Sequence, residues 1–362
     1  MATLSELHEL GGQSPWLDNL RRDWIKSGEL ARWVHDGIRG VTSNPTIFQR
    51  AMTSSDAYHE QLRTLVADGV DLEDSYWRLV ISDIVDAASV LAPVYENSNG
   101  EDGYVSVEVS PELANDTQAT IDAARKLHAQ INQPNVMIKV PATAEGIPAI
   151  ETLTAEGINV NITLIFSLAR YGEVMAAYLN GLEAATGDLS KIRSVASFFV
   201  SRVDTEVDAR LAQIAPPDTE LYGQAAVAQA KLAYGLFQQA FDTSRWQALA
   251  ALGANKQRPL WASTSTKNPA YADTLYVDAL IGPESVNTLP ESTIAAFLDH
   301  GTIARTIDTD LAAAENTFEK LEALGISFAD VANKLEIDGV DSFKKSFSDV
   351  LDTLQGVRQS FL

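Results

Sequence analysis

Apolar and polar positions along the chain follow two alternating rhythms. Short runs with an apolar residue at every second position, such as Val105-Ser-Val-Glu-Val109 and Val136-Met-Ile-Lys-Val140, read as β-strands. Eight such runs occur: Ser14 to Asp18, Gly40 to Ser43, Tyr104 to Val109, Asn135 to Val140, Asn159 to Phe166, Ser194 to Val200, Pro259 to Ser263 and Ser285 to Leu289. Longer stretches between them repeat at three to four residues. The clearest is Asp71 to Glu96, with Leu72, Tyr76, Val80, Ile84, Ala88 and Leu91 on one face. Leu113 to Gln130, Ala144 to Ala155, Leu168 to Ala184 and Gly223 to Asp242 read the same way.

Strands alternating with helices imply parallel pairing through right-handed crossovers, and eight of them favour closure into a (β/α)8 barrel. Neither GxGxxG nor GxxxxGK[ST] is present, which weighs against the common nucleotide-binding open sheets. Turn chemistry at Asn97 to Gly103, Ala215 to Asp218 and Gly253 to Asn255 punctuates the elements, and none of these is long enough for an interdomain linker. Beyond His300 the pattern turns helical, most clearly over Leu311 to Gly325 and Ser342 to Leu362. The expectation is one (β/α)8 barrel domain over 1–362 with additional N-terminal and C-terminal helices, residues 302–362 forming an extension packed on the barrel.

Several strands break the apolar rule in the same way. Both faces of a parallel barrel strand should be apolar, one toward the helices and one toward the interior. Yet Ser106 and Glu108 share a face, Lys139 stands among Val, Met and Ile, Asn161 pairs with Thr163, and Ser197 with Phe199. Burying these polar groups unpaired would cost kilocalories each, so they point to a wet cleft, which barrels place at the C-terminal ends of their strands. Asp18 and Asn44 fall at or just after their own strand ends and could join it. Lys139 is the most informative. An amine kept from water favours its neutral form, and a neutral amine adds to a carbonyl to form a Schiff base. The plain alternative is a structural ion pair with a carboxylate such as Glu108.

Composition narrows the partners. The 362 residues include 27 Lys+Arg against 49 Asp+Glu, a formal charge of −22, which repels nucleic acid and anionic lipid. A phosphorylated substrate would need its few cations gathered locally. With no cysteine, thiolate nucleophiles, disulfides and Cys-based metal sites are excluded. The five histidines have no metal-ligand spacing, so no metal is expected. The N-terminus has no signal-peptide character and no run of eighteen apolar residues occurs, so a cytoplasmic location is expected.

Four segments together resemble the transaldolase family. Gly40-Val-Thr-Ser-Asn-Pro-Thr-Ile-Phe48 is similar to its first signature. Val136-Met-Ile-Lys-Val-Pro-Ala-Thr-Ala-Glu-Gly146 is similar to the segment round its Schiff-base lysine. Gly157 to Phe166 and Ser197-Phe-Phe-Val-Ser-Arg202 follow, and the likeness runs from about Pro15 to about Leu298. The helical tail resembles that of extended bacterial transaldolases. The family implies a cofactor-free barrel of the pentose phosphate pathway that acts on phosphorylated sugars; the sequence leaves a homodimer and a monomer both open. By resemblance, Lys139 is the nucleophile and Asp18 the acid/base at the C4 hydroxyl. Glu108 with Thr163 holds the water that shuttles protons. Asn44 and Asn161 bind donor hydroxyls, Ser197 orients the three-carbon unit with Phe199 beside it, and Arg202 and Ser263 bind phosphate. The family often has an arginine two residues after the serine matching Ser263; here Ser265 stands there, and Lys267 is the nearest replacement cation.

Plainer roles compete at several positions. Asp18 could cap a helix beginning near Asn19, and Asn44 could cap the helix begun by Pro45. Thr163 could be an ordinary strand residue and Phe199 ordinary core. Arg202 could pair with Asp204 or Glu206 on a solvated helix face, and Trp24 with Trp33 reads as helix packing. Two other functions stay open. One is a hydrolytic aldolase like the related fructose-6-phosphate aldolases, which tend to have a tyrosine in place of Phe199 and a glutamine in place of Glu108. The other is a catalytically silent barrel acting as a binding subunit.

Overall fold

The computed structural model describes residues 2–214 and 219–361. Its centre is a closed, all-parallel barrel in chain order: β1 (Gln13–Leu17), β2 (Gly40–Thr42), β3 (Tyr104–Glu108), β4 (Val136–Pro141), β5 (Val160–Ile165), β6 (Ser194–Phe199), β7 (Gln257–Ala262) and β8 (Ser285–Leu289). All eight expected strands are present, displaced by at most a few residues. β8 pairs with β1 along its whole length, from Gln13 opposite Ser285 to Leu17 opposite Leu289, which closes the ring. Every strand residue is buried, as expected of strands covered by helices on one side and packed interior on the other.

The expected helices appear as Leu72–Asn97, Thr117–Ile131, Gly146–Ala155, Leu168–Ala184 and Ala225–Ala240. The second starts later than its periodicity predicts. Pro111–Leu113 forms a separate 3-10 turn, and the Asp116 side chain caps the helix by accepting from Ala119 N at 2.9 Å. The predicted turn at Ala215 to Asp218 lies outside the described residues. At the N-terminal end of the barrel, Gly40 begins β2 because the Trp16 indole fills the space beside it; a Cβ there would lie 2.4 Å from the ring.

The tail departs from expectation in two ways. Residues 301–310 are not helical; the helix Leu311–Ala323 follows, entered through Asp310 in a left-handed conformation (φ +54°). The last helix is one rod, Phe328–Gln359, starting well before Ser342. Asp338-Gly339 looks like a turn in sequence, and an interior glycine costs about 1 kcal/mol of helix stability. Here the helix continues through Gly339 because it presses against Leu164: a Cβ at Gly339 would sit 3.0 Å from Leu164 Cδ2. Among the described residues no helix is long and apolar enough to cross a membrane.

Candidate active site

A cavity of ≈ 270 Å³ opens at the C-terminal ends of the strands. Lys139 of β4 forms part of its wall and is only 5% exposed. Parallel register places Glu108 of β3 directly beside it, and the two side chains meet with Nζ 3.4 Å from Oε2. The amine also reaches the Ser43 carbonyl at 3.4 Å. Burial pushes the Glu108 carboxyl above the ordinary glutamate range, and the Lys139 charge only partly offsets this. Glu108 Oε2 and Thr163 Oγ1 are both buried without a hydrogen-bond partner in the protein. The ion pair foreseen as the plain alternative therefore exists, but beside an open polar cavity.

Asp18 follows β1, its backbone N–H held by the Leu289 carbonyl at 2.9 Å. Its Oδ1 accepts from the Thr42 hydroxyl at 2.8 Å, and Thr42 in turn meets Thr288 Oγ1 at 2.6 Å. Burial raises the Asp18 pKa, while the Thr42 hydrogen bond and the Lys139 charge pull it back. Asp18 does not cap a helix: the next one, Arg22–Ser27, begins after Arg21 with no side-chain cap. Asn44 does both jobs considered for it. Its Oδ1 accepts from Ile47 N at 3.0 Å, capping Pro45–Ser54, and the residue also lines the cavity.

Thr163, Ser197 and Phe199 line the same cavity, but Asn161 and Glu108 do not. Asn161 is fully buried one layer deeper, where its Oδ1 accepts from Ser197 Oγ at 2.7 Å and its Nδ2 donates to Ser106 Oγ at 2.9 Å. Its place is under Ser197, not on the cavity surface. Glu108 borders a separate small void shared with Asn44, Tyr76 and Phe347. Phe199 is both core and wall, packed 5.2 Å from Phe166 while facing the cavity.

Three cations converge on the mouth: Arg202, Lys267 and Arg50. Arg202 rises from the first turn of the helix Ser201–Ile214 directly after β6, its guanidinium 5.1 Å over the Phe199 ring. It does not pair with Asp204 or Glu206. Asp204 takes the Tyr276 hydroxyl at 2.7 Å, and Glu206 pairs with Arg210 and Lys334. Among the described residues none of the three cations forms an ion pair, in a chain of net charge −22. Burial lowers the pKa of Arg202 and of Lys267, and the Arg202 and Arg50 charges press Lys267 further down. Lys267 donates to Ser265 Oγ at 2.6 Å, so the serine at the expected arginine position steers the replacement cation. Ser263 sits in a left-handed conformation (φ +55°) at the end of β7, with Oγ 2.9 Å from Ser201 Oγ. Backbone strain of this kind persists where surrounding structure enforces it, and it gathers at functional sites. Tyr271 ties the segment carrying Lys267 to the Arg202 helix by donating to Asp208 at 2.6 Å.

Thr42, Thr46, Arg50, Thr288 and Phe343 also line the cavity and were not foreseen. Thr46 and Arg50 are one helical turn apart on Pro45–Ser54, a polar pair opposite the apolar Ile47, Phe48, Ala51 and Met52, so the i, i+4 spacing was a usable signal. Thr288 continues the rule of polar residues at strand ends. Phe343, from the last helix, had no local signal.

A closed parallel barrel, a buried lysine beside a carboxylate and a cationic mouth meet at one polar cavity. The sequence model of the transaldolase/fructose-6-phosphate aldolase family matches residues 15–354, through the first tail helix and most of the last, and the chain belongs to that family. It is 49% identical to a transaldolase of Parafrankia sp. (strain EAN1pec) over 97% of each chain. Identity to a transaldolase of Thermobifida fusca is 50% over 94% of each chain, and to one of Mycolicibacterium smegmatis 49% over 95% of each.

Proposed function

We propose that this chain is a transaldolase that moves a dihydroxyacetone unit from sedoheptulose 7-phosphate to glyceraldehyde 3-phosphate, giving erythrose 4-phosphate and fructose 6-phosphate, in the cytoplasm. The observation that carries the reading is the Lys139 amine, buried at the wall of a polar cavity 3.4 Å from Glu108. Once the Lys139 proton has passed to Glu108, the amine adds to the ketose C2 carbonyl, and the carbinolamine loses water to give an iminium. That cation is an electron sink, so the C3–C4 bond breaks once a base removes the C4 hydroxyl proton. Asp18 is that base, held by Thr42 in the same cavity. The aldehyde leaves, and the enamine on Lys139 then attacks the carbonyl carbon of the acceptor while Asp18 returns the proton; water adds to the new iminium and its C–N bond breaks, releasing the product ketose and the free amine.

Glu108 Oε2, engaged only by the Lys139 amine at 3.4 Å, and Thr163 Oγ1, which has no hydrogen-bond partner in the protein, provide two acceptors for the water that carries protons during carbinolamine dehydration. Asn44 meets donor hydroxyls directly. Asn161 acts through Ser197, fixing the hydroxyl that orients the three-carbon unit. Arg202, Lys267 and Ser263 take the phosphate, joined by Arg50, whose planar guanidinium offers the fork that Lys267 lacks. Phe199 and Glu108 favour transfer over hydrolytic release. The test is turnover of fructose 6-phosphate with erythrose 4-phosphate: sedoheptulose 7-phosphate forms only with both sugars present. Free dihydroxyacetone at the same rate without acceptor would instead identify a hydrolytic aldolase, and no turnover at all a silent barrel.

A further inference from the structure

The last helix lies outside the barrel in sequence but inside the site in space. Three ties hold Phe328–Gln359 across the mouth. Ser346 Oγ meets Thr46 Oγ1 at 2.7 Å, Lys334 reaches Glu206 at 3.1 Å, and Glu336 approaches Arg170 at 3.6 Å. These partners stand on the helices that follow β2, β6 and β5, so the rod spans the opening instead of packing along one side. Gly339 lets it descend onto Leu164, itself turned out of strand geometry (φ +60°) within β5. One turn further on, Phe343 is 4% exposed, and Lys139 Nζ lies 5.6 Å from the centre of its ring. Another turn on, Phe347 meets Tyr76 edge-on at 5.3 Å and closes the small void that Glu108 borders. Two phenylalanines of one helix thus cover the two sides of the Lys139–Glu108 pair.

We propose that Phe343 is the roof of the reaction chamber and that it sets how often the enamine on Lys139 is transferred instead of hydrolysed. This rests on the transaldolase reading above. The competing loss is a defined sequence. A proton adds to the nucleophilic enamine carbon, water adds to C2 of the resulting iminium, and the carbinolamine C–N bond breaks, releasing dihydroxyacetone and the free amine. The first step needs a proton at the enamine carbon and the second needs water at C2, and the Phe343 ring, centred 5.6 Å from Lys139 Nζ, lines the cavity beside both. Phe199 lies on the β6 wall and is fixed by Phe166, so it cannot cover the amine from the helix side.

The experiment measures, in one reaction of the full chain with fructose 6-phosphate and erythrose 4-phosphate, free dihydroxyacetone against sedoheptulose 7-phosphate. Their ratio is independent of the fraction of folded enzyme, so a merely structural loss leaves it unchanged. Phe343→Ala is expected to raise the ratio at least about tenfold, and Phe343→Leu, which keeps most of the apolar volume, to a value between that and the parent. A parental ratio in folded Phe343→Ala overturns the proposal. Should that variant fail to fold, a parental ratio in Phe343→Leu overturns it and an intermediate one supports it. A parent protein that transfers nothing would sink the transaldolase reading itself, whereas a transferring parent with unmoved variants sinks only the role of Phe343.

Discussion

Replacing Arg202 by methionine removes the most enclosed of the three mouth cations and keeps most of its length over the Phe199 ring. A guanidinium about 4 Å from a phosphate charge gains about 4 kcal/mol at an effective dielectric near 20, before desolvation is subtracted. Hydrogen bonds to charged groups measured by mutation retain about 1.5–3 kcal/mol of this. At about 1.4 kcal/mol per tenfold, kcat/KM for erythrose 4-phosphate falls roughly 10- to 150-fold. Lys267 and Arg50 are more exposed, so Lys267→Met and Arg50→Met cost less, about 3- to 10-fold each, with the effect shrinking as salt is added. The assay compares erythrose 4-phosphate with unphosphorylated erythrose as acceptor. Arg202→Met should lose activity on the first and leave the second within about twofold, the lost interaction being one that only the phosphate makes. Equal losses on both acceptors, or less than a threefold loss on the phosphorylated one, would refute the assignment.

Thr42→Val deletes the hydrogen bond that lowers the pKa of Asp18 and leaves the burial that raises it. Asp18 works as a carboxylate, so activity is lost as pH falls through its raised value. The acid limb of kcat/KM should therefore lie above the ordinary aspartate range, and in Thr42→Val should move to higher pH; an unmoved or lowered limb contradicts the role given to Asp18. At the opposite end of the barrel, Asp102 is fully buried and accepts from Arg39 at 2.7 Å, Arg258 at 2.8 Å, Ser14 at 2.8 Å and Trp16 at 3.2 Å. Burial would raise its pKa, but the two guanidiniums hold it well below the usual carboxylate range. A depressed carboxylate contributes stability above the unfolded value near 4 and loses it as pH falls, so Asp102→Asn should cost about 3–5 kcal/mol at pH 7 and progressively less in acid. Denaturant unfolding checks this, and kcat at 25 °C should stay near parental because the chemistry is at the other end of the barrel.

The strands were legible because their alternation is regular, and the site because Lys139, Thr163 and Ser197 break that alternation on inward faces. Alternation tells which way a side chain points but not how deep it lies. Asn161 and Thr163 share a face, yet two residues of strand separate them by about 6.6 Å along the barrel, so only Thr163 reaches the cavity while Asn161 supports Ser197 from below. Asp18 as a helix cap failed because the chain runs on to Arg22 before coiling. The last helix begins well before the stretch clearest in sequence, and its passage through Gly339 depends on a neighbour far away in sequence, Leu164. Phe343 was invisible for the same reason: helical periodicity marks it as buried, and only tertiary packing shows that it is buried against Lys139.

The most direct measurement is covalent capture. Incubation with fructose 6-phosphate and sodium borohydride should fix a reduced dihydroxyacetone unit on the protein, and peptide mapping by mass spectrometry should find it on Lys139 alone, with none formed in Lys139→Met. No adduct, or an adduct on a different lysine, would contradict the mechanism.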